Sequence, residues 1–130
     1  MTQTDTNKRY IIVGGGIAGV SAAEAIHALQ PEADITLISE EPNLPYFRMS
    51  LTRYLAGEVE REKLTLHNQQ WYLQNHITIL LSTYVDAIDP ELRQVILADS
   101  QKLAYDKLIL ASGAHPNMPA FPGRELKGVQ

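Results

Sequence analysis

The feature that most constrains this chain is a run of glycines placed directly after a short apolar stretch. Tyr10-Ile11-Ile12-Val13 is continuously apolar, as a strand buried on both faces of a parallel sheet would be. Gly14-Gly15-Gly16 breaks it, and from Ile17 the pattern turns helical until Pro31. Gly14-x-Gly16-x-x-Gly19 therefore joins a strand to a helix, the context in which that spacing carries weight. Gly14 permits the tight turn, Gly16 lets the backbone approach a pyrophosphate, and Gly19 lets helix and strand pack closely. A pyrophosphate would sit at the positive end of the helix, on the N–H groups of Ile17 and Ala18. A glycine-rich turn that binds nothing is the plain alternative. On a 100° wheel Ala18, Ala22, Ala25, Ile26 and Leu29 share one face, which leaves Glu24 and His27 to solvent.

A second strand is expected at Ile35–Ser39, giving a strand–helix–strand unit. Glu40 is the first residue past that strand and lies 21 residues after Gly19. A carboxylate there can accept hydrogen bonds from both ribose hydroxyls of an adenosine, and it would repel a 2′-phosphate. Glu41 is the second choice for this role. As a bland alternative, both acids are loop charges.

Further on, Arg48 to Ala56 reads as a short helix closed by Gly57, and Asn68 to Gln74 as another, with Trp71 as a core anchor. Ile77 to Leu81 suits a third parallel strand. Tyr84 to Ile88, Gln94 to Leu97 and the stretch into Tyr105 alternate between turn residues, as an antiparallel meander does. Lys107 to Ser112 is a last apolar strand ending at Gly113, and from His115 the prolines at 116, 119 and 122 make an extended, linker-like tail. The fold class expected is α/β: a Rossmann-like parallel sheet with a small β-meander, incomplete as it stands. The divisions expected are a disordered N-terminus at 1–8, a nucleotide-binding domain at 9–114 and a Pro-rich crossover at 115–130.

Composition narrows the chemistry. Cysteine is absent, so these residues offer no disulfide, thiolate metal site or redox-active thiol pair. The four histidines are scattered without metal-ligand spacing, and no metal site is expected. The net charge is −4 and no basic stretch is longer than Lys8-Arg9, which argues against a nucleic-acid partner. The longest uncharged apolar-leaning stretch after the glycines, Ile77 to Val85, is far short of the roughly 20 residues of a membrane span. Lys8-Arg9 before an apolar run has the outline of a signal peptide, but glycines interrupt the run. A cytoplasmic location is expected. No acid–base pair or nucleophile stands out, so no catalytic side chain is assigned.

Four stretches in this order carry a resemblance: Tyr10–Ala23 (YIIVGGGIAGVSAA), Ile35–Glu40 (ITLISE), Pro45–Arg48 (PYFR) with Leu51-Thr52, and Tyr105–Ala114 (YDKLILASGA). Together they resemble the N-terminal segment of the FAD-dependent pyridine-nucleotide reductases. Within these, the branch is that of the NADH-dependent nitrite reductase large subunit, rubredoxin reductase and the ferredoxin reductases. The resemblance implies that Gly14, Gly16 and Gly19 cradle the FAD pyrophosphate and that Glu40 binds the adenosine ribose. It implies that Arg48 lies beside the flavin phosphates, where a guanidinium suits a diphosphate. Thr52 and Arg53 fall where the ferredoxin-reductase branch has Ser-Lys near the isoalloxazine, with Arg for Lys a departure. Val85 matches a position whose backbone meets the adenine edge, and Ala111-Ser112-Gly113 matches an Ala-Thr-Gly turn near the cofactor.

Members of that family are several times longer, so the chain is expected to be a segment of one, inactive alone. In the parent, NADH would reduce FAD and electrons would leave to an acceptor protein or a fused redox domain. A sheet lacking its closing strand would expose an edge through which two copies could pair. The alternative from another class is a stand-alone dinucleotide-binding or interaction module without turnover.

Overall fold

The computed structural model describes residues 7–129. Most of the expectation of a disordered 1–8 falls on residues 1–6, which lie outside the described residues. Strand β1 (Arg9–Val13) leads into helix α1 (Ile17–Leu29) and returns as β2 (Asp34–Ile38). A single 3-10 turn at Arg48–Ser50 runs into the short helix α2 (Leu51–Leu55), and a second turn at Arg61–Lys63 precedes α3 (Gln69–Gln74). Strand β3 (Ile77–Leu80) is followed by the meander β4 (Val85–Asp89), β5 (Gln94–Leu97) and β6 (Lys102–Ala104), and then by β7 (Lys107–Leu110).

The two sheets are those expected. A four-stranded sheet has the order β3-β2-β1-β7, all parallel, and the meander forms a separate antiparallel sheet in the order β4-β5-β6. The period-2 alternation of the strands explains the layering. Ile12, Ile35 and Leu37 face one side, where Val20, Ala23 and Tyr72 of the helices cover them. Ile11 and Ile38 face the other, against Val95, Leu97 and Tyr105 of the meander region. Because both faces of the sheet are covered, its strands are predominantly apolar, broken only by Thr36, Thr78 and the charged residues at strand starts. At the opposite end from the glycines, Asp106 accepts from the Arg9 backbone N–H at 2.8 Å, tying β7 to the start of β1. That bond, with the Arg9 side chain, holds the Asp106 carboxyl below its ordinary value.

Four expectations need correction. The buried residues of α1 are Gly19, Val20 and Ala23, with Ala22 and Ile26 half-buried, while Ala18, Ala25 and Leu29 are exposed. Close approach of Gly19 to the Gly14 carbonyl rotates the helix, which an apolar count on a wheel does not register. His27 consequently lies on the inner stripe, four residues after Ala23. It is half-buried, and its Nδ1 is out of solvent with no hydrogen-bond partner among the described residues. Strands β3 and β7 stop at Leu80 and Leu110, short of the expected ends. The tail is exposed and irregular through residue 120, but beyond it folds into successive turns, with Leu126 N–H bonded to the Gly123 carbonyl at 3.0 Å.

Trp71 is half-buried against the helix-side core and stacks with the His67 ring, centroids 3.6 Å apart and planes nearly parallel. Tyr72, not Trp71, is the fully buried aromatic of α3. Asn68 caps that helix by accepting from the Trp71 N–H at 2.9 Å.

Candidate functional site

The carboxyl ends of the parallel strands converge on the glycine loop. Gly14 N–H donates to Ile38 O at 2.8 Å, Ala111 N–H to Val13 O at 2.7 Å, and Ser39 N–H to Leu80 O at 2.8 Å. The chain leaves β1 for β2 on one side and reaches β7 on the other, so β1 is the switch point of the sheet. In open α/β sheets ligands bind outside the strand ends at such a point.

The glycines have distinct duties. Gly14 has φ +120, and a Cβ there would overlap the Ala111 carbonyl oxygen. Ala111 thus meets the loop; Ser112 and Gly113 follow it at the β7 exit. A Cβ on Gly19 would overlap the Gly14 carbonyl oxygen, so helix and strand exit touch there. Gly16 is different: a Cβ there would meet nothing within 4 Å. Gly16 is also the N-cap of α1, without a side-chain cap, and the first turn of the helix holds no acidic residue. The N–H groups of Ile17 and Ala18 lack acceptors one turn back, both residues are exposed, and no carboxylate competes for an anion there.

Glu40 is exposed and its carboxylate makes no hydrogen bond or ion pair among the described residues. Glu41 is engaged. It pairs with the Arg48 guanidinium, and its carboxylate lies near the Tyr46 hydroxyl. Burial, then that contact, raises the Tyr46 hydroxyl above its ordinary value, and Arg48 Cζ stands 5.8 Å over the Tyr46 ring. The structure therefore brings Arg48 to the acids of the β2 exit, and Val85 follows β3 shortly after Thr83, whose N–H donates to Ser39 O at 2.9 Å. Thr52, on exposed α2, has no hydrogen bond to the glycine loop among the described residues, and Arg53 pairs with Glu58 at 3.3 Å. A cavity of about 580 Å³ lies along the segment from Pro42 to Leu66, lined by Tyr46, Leu51, Tyr54, Arg61 and their neighbours. None of the glycine-loop residues lines it.

Two contributors escaped sequence reasoning, Gly15 and Ser39. A Cβ on Gly15 would stand 2.7 Å from Ser39 Cβ, so the two residues fill one space. A small residue at the strand end, opposite the middle glycine, is the signal that would have found them.

A glycine loop at a helix N-terminus, set at the switch point of a parallel sheet with acids at the neighbouring strand end, defines a dinucleotide-binding α/β domain. The family model for the pyridine nucleotide-disulphide oxidoreductases matches residues 8–130, and the chain belongs to that family. It is 37% identical over 121 residues to putidaredoxin reductase CamA of Pseudomonas putida, covering 92% of this chain and 29% of that protein. It is 36% identical over 123 residues to the nitrite reductase [NAD(P)H] of Bacillus subtilis, covering 94% of this chain and 15% of that one. In the crystal structure of the covalent putidaredoxin reductase–putidaredoxin complex, 93% of this chain superimposes on 29% of the matched chain, with a TM-score of 0.86 and 35% identity. NADH:rubredoxin oxidoreductase from Clostridium acetobutylicum gives 0.80 at 34% identity, over 89% of this chain and 30% of that structure. The chain spans 15–31% of the length of the first curated relatives it matches, all of them oxidoreductases or their electron-transfer subunits by name. Among the described residues no helix is long and apolar enough to cross a membrane.

Proposed function

We propose that this chain is the FAD-binding segment of an NAD(P)H-dependent flavoprotein oxidoreductase that passes electrons from NADH through FAD to an acceptor. The observation that carries this is the space over Gly16. Gly14 and Gly19 are closed by backbone, while the backbone at the helix N-terminus between them is open to a diphosphate. The residues present fit the group. Gly14, Gly16 and Gly19 form the cradle, Ile17 and Ala18 offer N–H groups, and Glu40 offers a free carboxylate to the ribose, with Glu41 as the second candidate. Arg48 contributes positive charge, Val85 and Ala111-Ser112-Gly113 flank the strand exits, and Thr52 belongs to the flavin end. The isoalloxazine supplies the redox chemistry when bound; the chain's own residues bind, orient and shape the electrostatics around it.

The acceptor is proposed as a small redox protein or a fused redox domain, which suits relatives named as rubredoxin and putidaredoxin reductases. A cytoplasmic location fits a cysteine-free domain that draws on NADH. The domain is proposed to span 9–114, with 115–130 leading out of it. Strand β7 pairs only with β1 among the described residues, and pairing of two copies through that edge is a further part of the proposal.

The test is a titration of the 130-residue chain with FAD, followed by flavin fluorescence, and then an NADH oxidation assay with an artificial acceptor. Saturable FAD binding is expected, with NADH oxidation no faster than free FAD supports, because the one glycine fingerprint is taken by FAD. Absence of FAD binding would overturn the assignment. Turnover well above the free-FAD control would show a self-sufficient enzyme.

A further inference from the structure

We propose that Ser39 is the positioning residue that sets the ribose-binding turn against the glycine loop, an inference that rests on the dinucleotide function proposed above. Ser39 is a buried polar residue, at 5% exposure. Every polar group it offers along the site is used. Its N–H donates to Leu80 O at 2.8 Å, its carbonyl accepts from Thr83 N–H at 2.9 Å, and its Oγ accepts from Glu41 N–H at 3.3 Å. Its side chain fills the space that Gly15 leaves by having no Cβ. One small residue therefore touches the glycine loop, the acid turn and the segment that runs from β3 toward Val85.

The consequence falls on Glu40. It sits between two pinned neighbours: Ser39, bonded through both backbone groups, and Glu41, whose N–H is held by Ser39 Oγ and whose carbonyl accepts from Ser82 N–H at 3.0 Å. The carboxylate itself is left free. A free carboxylate on a backbone pinned at both flanks is pre-organised to accept from ribose hydroxyls with little ordering cost. Serine suits the place. Alanine would fill the space at Gly15 but offer Glu41 no acceptor, and a larger side chain would press on the glycine loop.

The test compares ADP with 2′-deoxy-ADP by calorimetry on the wild-type chain, Ser39→Ala and Glu40→Ala, with thermal melting as the check on folding. The wild type is expected to prefer ADP by roughly tenfold, the contribution of one hydrogen bond to a charged group. Ser39→Ala keeps the Cβ and should fold. It should lose most of that preference by weakening ADP several-fold and 2′-deoxy-ADP, which keeps only the 3′-hydroxyl, by clearly less, the pattern expected in stronger form of Glu40→Ala. An undiminished preference in Ser39→Ala overturns the inference, and so do equal losses for both nucleotides, which mark a merely structural residue. If the wild type binds neither nucleotide, the dinucleotide function fails and this inference with it.

Discussion

The glycine loop and the arm from Pro42 to Leu66 both border the site, yet they are built in opposite ways. Around the loop, backbone meets backbone at Gly14 against Ala111 and Gly19 against Gly14, the Ser39 side chain closes on Gly15, and the strand exits are joined by hydrogen bonds of 2.7–2.8 Å. In the arm, Met49 is 95% and Leu55 82% exposed; backbone bonds from Phe47 N–H to Leu64 O and from Leu66 N–H to Pro45 O, 2.9 Å each, close its base, while its cations are held by side-chain pairs at the surface, Arg48 with Glu41 and Arg53 with Glu58. At Gly14, Gly15 and Gly19 the first region has no room for an added atom; Gly16 alone of the four is open. The second holds its cations by contacts that exchange at little cost, since exposed ion pairs contribute about 0–1 kcal/mol. The glycine loop is thus shaped by sterics, and the arm's cations are held by adjustable charge.

The sharpest way to break this contrast is at Gly19. Gly19→Ala would drive a Cβ into the Gly14 carbonyl, backbone against backbone, and should destabilise the domain by about 3 kcal/mol or upward in a denaturant melt. A melt unchanged from wild type would show that the loop has slack. Next is the acid pair. Glu40→Ala should weaken ADP binding by about 1.5–3 kcal/mol and Glu41→Ala by much less, because Glu41 already serves Arg48. A larger loss at Glu41 would move the ribose to the arm's own acid.

A third effect comes from the core between the two regions. Tyr72 is buried with its hydroxyl unpartnered among the described residues, and burial, with the nearby Glu24 charge, pushes its pKa up to about 12. In the unfolded chain the same group titrates near 10. The folded state therefore keeps the proton more tightly, and the stability this confers is whole below about pH 10 and lost as pH rises toward 12. Tyr72→Phe should flatten that alkaline decline in melts taken across pH 9 to 12; an unaltered decline would place its origin elsewhere. The smallest effect is expected in the arm, where Leu55→Ser should shift stability by no more than about 0.5 kcal/mol in the same melts.

The contrast also explains what could be read before any coordinates. The glycine fingerprint, the parallel strands and the meander were legible because each is a local pattern enforced by backbone geometry: apolar runs, alternation, and glycines where a Cβ would collide. The buried face of α1 was not, because its rotation is set by Gly19 meeting Gly14 across a turn, and this also drew His27 inward. By sequence alone Ser39 reads as an ordinary strand residue, because its contacts depend on Gly15 and Glu41 converging on it. The pairing of Glu41 with Arg48 depends on how the chain from Pro42 to Phe47 folds back, and local spacing does not encode it.

The central claim is that the open backbone at Gly16 receives the diphosphate of a dinucleotide. Gly16→Val tests it most directly, because the added side chain meets no protein atom within 4 Å at its Cβ yet fills the space where the ligand must lie. Calorimetric titration of both proteins with ADP and FAD should show saturable binding to the wild type and none to Gly16→Val, with matching thermal melts. Equal affinities in the two proteins would contradict the account.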